Sequence, residues 1–135
     1  MRLLVVSHTP HYIQNGRVVG WGPTVRELDY LSGLFDELVH LAPLYPGSAP
    51  ASALGYQSER IRLHTVKPSG GNRLIDKWSI GAQYPAYTMA MVQELKQAEV
   101  VHVRCPANIS LLAILLLAFV RRPLYRWVKY AGNWQ

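Results

Sequence analysis

Apolar and polar residues alternate in blocks along this chain, and each block's length and spacing indicate the element it forms. Leu3-Leu4-Val5-Val6 is an unbroken apolar run, suited to a strand buried on both faces and too brief for a membrane span. From Ser7 to Gly22 the chain is polar and glycine-bearing, with His8, His11, Gly16, Gly20 and Gly22 in what reads as a loop. Val25, Leu28, Leu31, Leu34, Phe35 and Leu38 then recur at helical spacing and mark a buried stripe. Thr24 and Glu27 have the spacing of a capping box at the helix start. Strand, glycine loop and helix form the opening of a βαβ unit.

The same reading continues to the end. Leu38-Val39-His40-Leu41-Ala42 predicts a second strand, entered by a turn at Asp36-Glu37, with His40 as a buried histidine held by a hydrogen bond. Pro43 to Ser58 is rich in proline, glycine and small residues and predicts a loop. Ile61, Leu63 and Thr65 alternate with Arg62 and His64, the pattern of a third strand near a sheet edge. Ser69-Gly70-Gly71 lacks the Lys and Ser/Thr of a phosphate loop and reads as a turn. A short helix is expected over Leu74 to Ile80, and a longer one from Tyr84 to Gln97 with Tyr84, Tyr87, Met91, Val92 and Leu95 packed in the core. Val100 to Val103 predicts the fourth strand, followed by a polar break at Arg104 to Asn108.

Asn108 to Val120 is apolar almost all round, so a sandwiched, buried helix is expected. At 1.5 Å per residue it spans roughly 20 Å, short of the ~30 Å hydrocarbon core of a bilayer. Arg121-Arg122 suits its C-terminus and Pro123 ends it. Leu124 to Val128 predicts a fifth strand, and Lys129 to Trp134 the start of another loop.

Strands separated by helices predict an α/β fold: a Rossmann-like three-layer αβα sandwich with a mostly parallel sheet, one domain over residues 1–135. With right-handed crossovers and strand order 3-2-1-4-5, the order reverses between strands one and four, where such folds bind ligands. That topology gathers His8, His11, Arg104, Asn108 and Lys129 at one cleft, with residues 8–22 and 104–108 on a shared rim. Gly20 and Gly22 stand before a helix N-terminus that can receive an anion. The alternative is an ordinary loop, because the glycines do not match G-x-G-x-x-G.

Charge narrows the partners without choosing one. Fourteen Lys plus Arg against eight Asp plus Glu give a net charge of +6, which suits phosphate-bearing ligands, an anionic membrane or nucleic acid. Exposed aromatics interleaved with cations, as single-stranded nucleic acid requires, are found only from Arg121 to Tyr130, which reads as a strand; no nucleic-acid partner is expected. Half of the residues are hydrophobic, enough for a sizeable core. Cys105 is the lone cysteine, so disulfides and a cysteine-based zinc site are excluded, and a cytoplasmic location is the default, extended to the inner face of the membrane if the basic surface docks there. Leu3 to Val6 is too short for the apolar core of a secretory signal. There is no H-E-x-x-H, nucleophile elbow or paired carboxylate, and neither a metal nor a cofactor is expected. Cations, backbone N–H groups and imidazoles remain, able to hold phosphates or sugar hydroxyls and to accept a proton from a hydroxyl.

Met1 to Ser7, the glycine loop, Gly22-Pro23-Thr24-Val25-Arg26-Glu27-Leu28, Val100-Val101-His102-Val103-Arg104 and Lys129 to Trp134 together resemble the N-terminal domain of GT-B-fold glycosyltransferases of the family 4 type. The resemblance implies the N-terminal half of a GT-B fold that binds the acceptor, a sugar or lipid-linked sugar. A C-terminal domain of that family holds the nucleotide-sugar donor, and its E-x7-E motif is not in this sequence. It implies a donor-phosphate role for Gly20 and Gly22. Where the family carries a histidine after its fourth strand, this chain has Arg104, with His102 two residues earlier. The chain stops just after Asn133-Trp134, where these enzymes continue, so no turnover by the isolated chain is expected, and an exposed apolar face that self-associates is a further expectation. The other readings are a non-catalytic Rossmann-like module for a nucleotide or phosphorylated ligand, and a domain that docks on an anionic membrane or a protein partner.

Overall fold

Residues 1–69, 74–123 and 125–130 are described in the computed structural model, residues 74–76 by their backbone alone. The first apolar run forms β1 (Arg2–Val6), the centre of a five-stranded parallel sheet with β4 (Glu37–Pro43), β6 (Ile61–Val66), β7 (Val100–Cys105) and β8 (Tyr125–Tyr130). Its order is β6-β4-β1-β7-β8, the expected 3-2-1-4-5. β1 pairs with β4 from Arg2↔Glu37 to Val6↔Leu41 and with β7 from Leu3↔Val100 to Val6↔Val103.

Alternation along the strands divides the core into two layers. Leu3, Val5, Leu38 and Val100 face α1 (Gly22–Ser32) and pack on Leu28. Leu4, Val6, Val39, Leu41, Val101 and Val103 face α2 (Leu74–Leu95) and α3 (Asn108–Phe119), meeting Tyr87, Met91, Ile109, Ala113 and Leu117. The chain is a Rossmann-like three-layer αβα domain.

Several expectations are corrected. The polar stretch after β1 is not a plain loop. It contains a hairpin of β2 (His11–Gln14) and β3 (Arg17–Trp21), extended by β5 (Ala53–Gly55) into a small antiparallel sheet. Asn15 and Gly16 make the turn with φ of 51° and 73°, the left-handed pair that a two-residue hairpin requires. α1 begins at Gly22 with Trp21 as its N-cap and no side-chain cap, so Thr24 and Glu27 form no capping box. Pro23 in the first turn supplies a preset helical φ. The helix stops at Ser32, which leaves Leu34 exposed and Leu38 in β4 instead of on the helical stripe.

The two helices expected between residues 74 and 97 are one, and Pro85 lies inside it without ending it. α3 is not sandwiched: Ile109, Ala113 and Leu117 are buried, but Leu111, Leu115 and Phe119 are exposed, because no further layer covers its outer side among the described residues. β8 runs two residues further than expected, so Lys129 and Tyr130 belong to a strand. The turn expected at Gly70 and Gly71 and the loop expected at Ala131 to Trp134 lie outside the described residues. Among the described residues no helix is long and apolar enough to cross a membrane.

Candidate functional site

A cleft of about 880 Å³ lies beyond the carboxyl ends of β1 and β7, where the strand order reverses. His8, leaving β1, and Cys105, Pro106, Ala107 and Asn108, leaving β7, line it together. Residues 8 and 105–108 therefore share the rim that topology assigned to them. Tyr45 and Ser69 add polar groups; Leu111, Ile114 and Val128 add an apolar wall, and Tyr130 an aromatic ring. Tyr45 is set in place by its backbone N–H, which donates to the His11 carbonyl at 2.7 Å. Its hydroxyl then reaches His8 Nε2 at 3.0 Å. Partial burial draws the His8 imidazole below its ordinary pKa and so favours the neutral ring. When Nε2–H donates to Tyr45, Nδ1 keeps a lone pair that can accept a proton. Burial likewise raises the Cys105 thiol, which stays protonated near neutrality.

A different chemistry occupies the α1 side of the same sheet end. His11 Nδ1 is 2.9 Å from the Thr9 carbonyl, which only accepts, so Nδ1 carries the proton. His11 Nε2 then accepts from the Tyr56 hydroxyl at 2.8 Å. The same oxygen accepts from His40 Nδ1 at 2.7 Å. His40 Nε2 accepts from Ser7 Oγ at 2.6 Å, and Ser7 Oγ shares a 2.9 Å hydrogen bond with Thr9 Oγ1. The ring closes on itself through the Thr9 residue. Asp29 of α1 positions Tyr56 by accepting from the backbone N–H of Gln57 at 3.0 Å and of Ser58 at 3.1 Å. Burial pushes His11 down to about 4; burial, reinforced by the Arg104 charge, drives His40 well below its ordinary value. Both rings are neutral and internally bonded, which suits structure better than proton transfer to a ligand.

Gly20 and Gly22 have reasons of their own to be glycine. A Cβ at Gly20 would stand 2.6 Å from His11 Nε2, and one at Gly22 would stand 2.5 Å from the Ser52 carbonyl oxygen. Both lie at the junction of hairpin and helix, away from the residues that line the cleft. Arg104 and Lys129 are cross-strand partners on the α1 side, where Glu27 takes both, at 2.9 Å and 2.7 Å. Burial opposes ionisation of Glu27, but these two cations outweigh it and hold its carboxyl below the ordinary value. His102 lies on the same face, stacked on Trp127 at 4.7 Å, and burial together with the Arg104 charge lowers it to about 4.

Of the seven expected site residues, the structure brings His8 and Asn108 into the cleft. It sends His11 and Gly20 into the imidazole ring, Gly22 against Ser52, and Arg104 and Lys129 to Glu27. For Arg104 and Lys129 strand alternation is the cause: Arg104 and Cys105 are neighbours in sequence and point to opposite faces. Tyr45 and Tyr56 escaped the sequence reading because they lie in a stretch read as loop. The Asn15-Gly16 pair was the available signal, since a hairpin there draws the stretch containing Tyr45 and Tyr56 against β1. Among the described residues no group of three His, Cys, Asp or Glu is placed to hold a metal ion.

These features define an α/β domain with an uncharged, partly apolar cleft at the topological switch of a parallel sheet. Comparison with protein-family models, with curated proteins and with solved structures found no match to the chain.

Proposed function

We propose that this domain is the acceptor-side half of a glycosyltransferase that moves a sugar from a nucleotide-sugar donor to an acceptor hydroxyl. The observation that carries the reading is the cleft between the ends of β1 and β7, where His8, Tyr45 and Asn108 face an apolar wall of Leu111, Ile114 and Val128. Such a lining suits an acceptor with hydroxyls at one end and an apolar body at the other, such as a lipid-linked sugar. His8, neutral and in reach of that end, is the candidate to accept the hydroxyl proton. The donor diphosphate needs cations, and Arg104 and Lys129 are engaged by Glu27 on the other face. A donor held by a separate domain fits that division, and so does the likeness to the N-terminal domain of family 4 glycosyltransferases. On this reading the domain works in the cytoplasm, a compartment that suits its lone Cys105.

The test is titration of the chain with a lipid-linked sugar and, separately, with nucleotide sugars, followed by NMR or calorimetry. The acceptor is expected to bind, His8→Ala and Asn108→Ala to weaken it by about tenfold, and no sugar transfer to occur with the isolated chain. Tight nucleotide binding that depends on Arg104 and Lys129, with no acceptor binding, would replace this reading with a nucleotide-binding module. Turnover by the chain alone would overturn the division between acceptor and donor halves.

A further inference from the structure

Leu111 to Val120 is a run of ten residues without a hydrogen-bonding side chain. Ala113 and Leu117 of this run are buried, yet Leu111, Leu115 and Phe119 are 54%, 52% and 88% exposed. Spaced four apart, those three form one line along the outer side of α3. Trp78 of α2, in the same layer, is 83% exposed. A contiguous line of large apolar groups on a surface marks an interaction site.

The charge around it selects the occupant. From Lys77 to Pro123 the only carboxylates are Glu94 and Glu99. Glu94 is buried against Arg2, Arg62 and His64, and Glu99 accepts from the Arg2 backbone N–H. Lys77, Lys96, Arg121 and Arg122 are exposed in the same segment. A second copy would bring the same cations to the same line and be repelled. An acidic protein would find no side-chain hydrogen bond along ten residues, where protein interfaces carry about one per 100–200 Å². Hydrocarbon below anionic headgroups meets both features: acyl chains receive the leucines and phenylalanine, and phosphates receive the cations. With 12 residues α3 is about 18 Å long, too short to span and long enough to lie in the plane.

We infer that the outer face of α3 is a peripheral docking surface for an anionic lipid bilayer, with Leu111, Leu115 and Phe119 at the acyl boundary and Arg121 and Arg122 at the headgroups. Leu111 also lines the cleft, so the cleft mouth opens beside the membrane, where a lipid-linked ligand would arrive. The docking needs no sugar transfer and stands apart from the glycosyltransferase reading.

The experiment is co-sedimentation of the chain with phosphatidylcholine vesicles, with and without phosphatidylglycerol, at low and high salt. Binding is expected on the anionic vesicles, falling as salt rises. Phe119→Ser combined with Leu115→Ser should weaken it by about a hundredfold or more, on the scale of two large side chains withheld from hydrocarbon. Arg121→Gln with Arg122→Gln should weaken it and remove most of its salt dependence. All four positions are exposed, and circular dichroism checks that the variants fold. Failure of the wild-type chain to bind anionic vesicles overturns the inference, as does equal binding to neutral ones or binding that survives Phe119→Ser with Leu115→Ser. A dimer in sedimentation velocity that Phe119→Ser abolishes, without vesicle binding, would assign the face to a second copy.

Discussion

The two sides of the sheet's carboxyl end are built from similar residue types and do opposite things with them. On the α1 side, the side chains of His11, His40, Tyr56, Ser7 and Thr9 are bonded to one another, and Arg104 and Lys129 share one carboxylate. On the α3 side, His8 and Asn108 face open space beside an apolar wall. Polar groups that are mutually bonded hold the hairpin, β1, β4 and the Tyr56 segment together. Polar groups facing a cleft are available to a ligand. Residue type alone therefore does not distinguish structure from function here; the face of the strand does.

Acid should break the first side before the second. His11 and His102 have folded values of about 4 against an ordinary 6.5, and burial holds His40 well below it too. The unfolded chain binds protons first, so their stabilisation is complete above pH 6.5 and is lost as pH falls from 6.5 toward 4. At about 1.4 kcal/mol per pH unit, each of His11 and His102 costs roughly 3 kcal/mol across that window. Urea midpoints measured from pH 7 to 4 check this, and His11→Gln should remove one proton from the slope. A flat profile would mean that the imidazole ring is not closed.

Gly20→Ala comes next, at roughly 2 kcal/mol, because the added methyl meets an imidazole fixed at both nitrogens. Combining it with His11→Ala should cost less than the two single changes added together, by about 1 kcal/mol or more. Additive costs would show that the ring yields and that Gly20 is not held by packing. Glu27→Gln is smaller, about 1 kcal/mol, since Lys129 is half exposed and solvent screens it. Its sharper readout is His102, whose pKa the Glu27 charge raises; NMR titration should find it lower still in the variant.

The strand order and the meeting of residues 8 and 105–108 were legible in the chain, because three short apolar runs and two alternating ones leave little choice of topology. The separation of Arg104 and Lys129 from His8 was not legible at the level of loops. It required the alternation within β7 and β8, and the apolar pattern of β8 runs out at Val128, before Lys129. The hairpin has one signal in the sequence, the Asn15-Gly16 pair, and the polar residues around it hide the strand pattern. Leu111 to Val120 carried its composition openly, but a helix apolar all round reads as buried until its neighbours are known.

Tyr45→Phe gives the smallest effect and tests the contrast most directly. Among the described residues the hydroxyl makes one hydrogen bond, to His8 Nε2, and both residues border the cleft. Water can replace the lost partner there, so the stability change should stay within about 0.5 kcal/mol. Burial, not Tyr45, is what lowers the His8 pKa, so an NMR titration of His8 should still find it below 6.5. Orientation is what the variant removes, and on the proposed function acceptor binding should weaken while the urea midpoint stays put. Tyr56→Phe supplies the contrast, because it takes the central oxygen from His11 and His40, both fully buried, and leaves two ring nitrogens unpaired. That change should cost about 2 kcal/mol or more. Equal costs for the two tyrosines would mean that the cleft side is as tightly bonded as the α1 side, and His8 would lose its claim to a ligand.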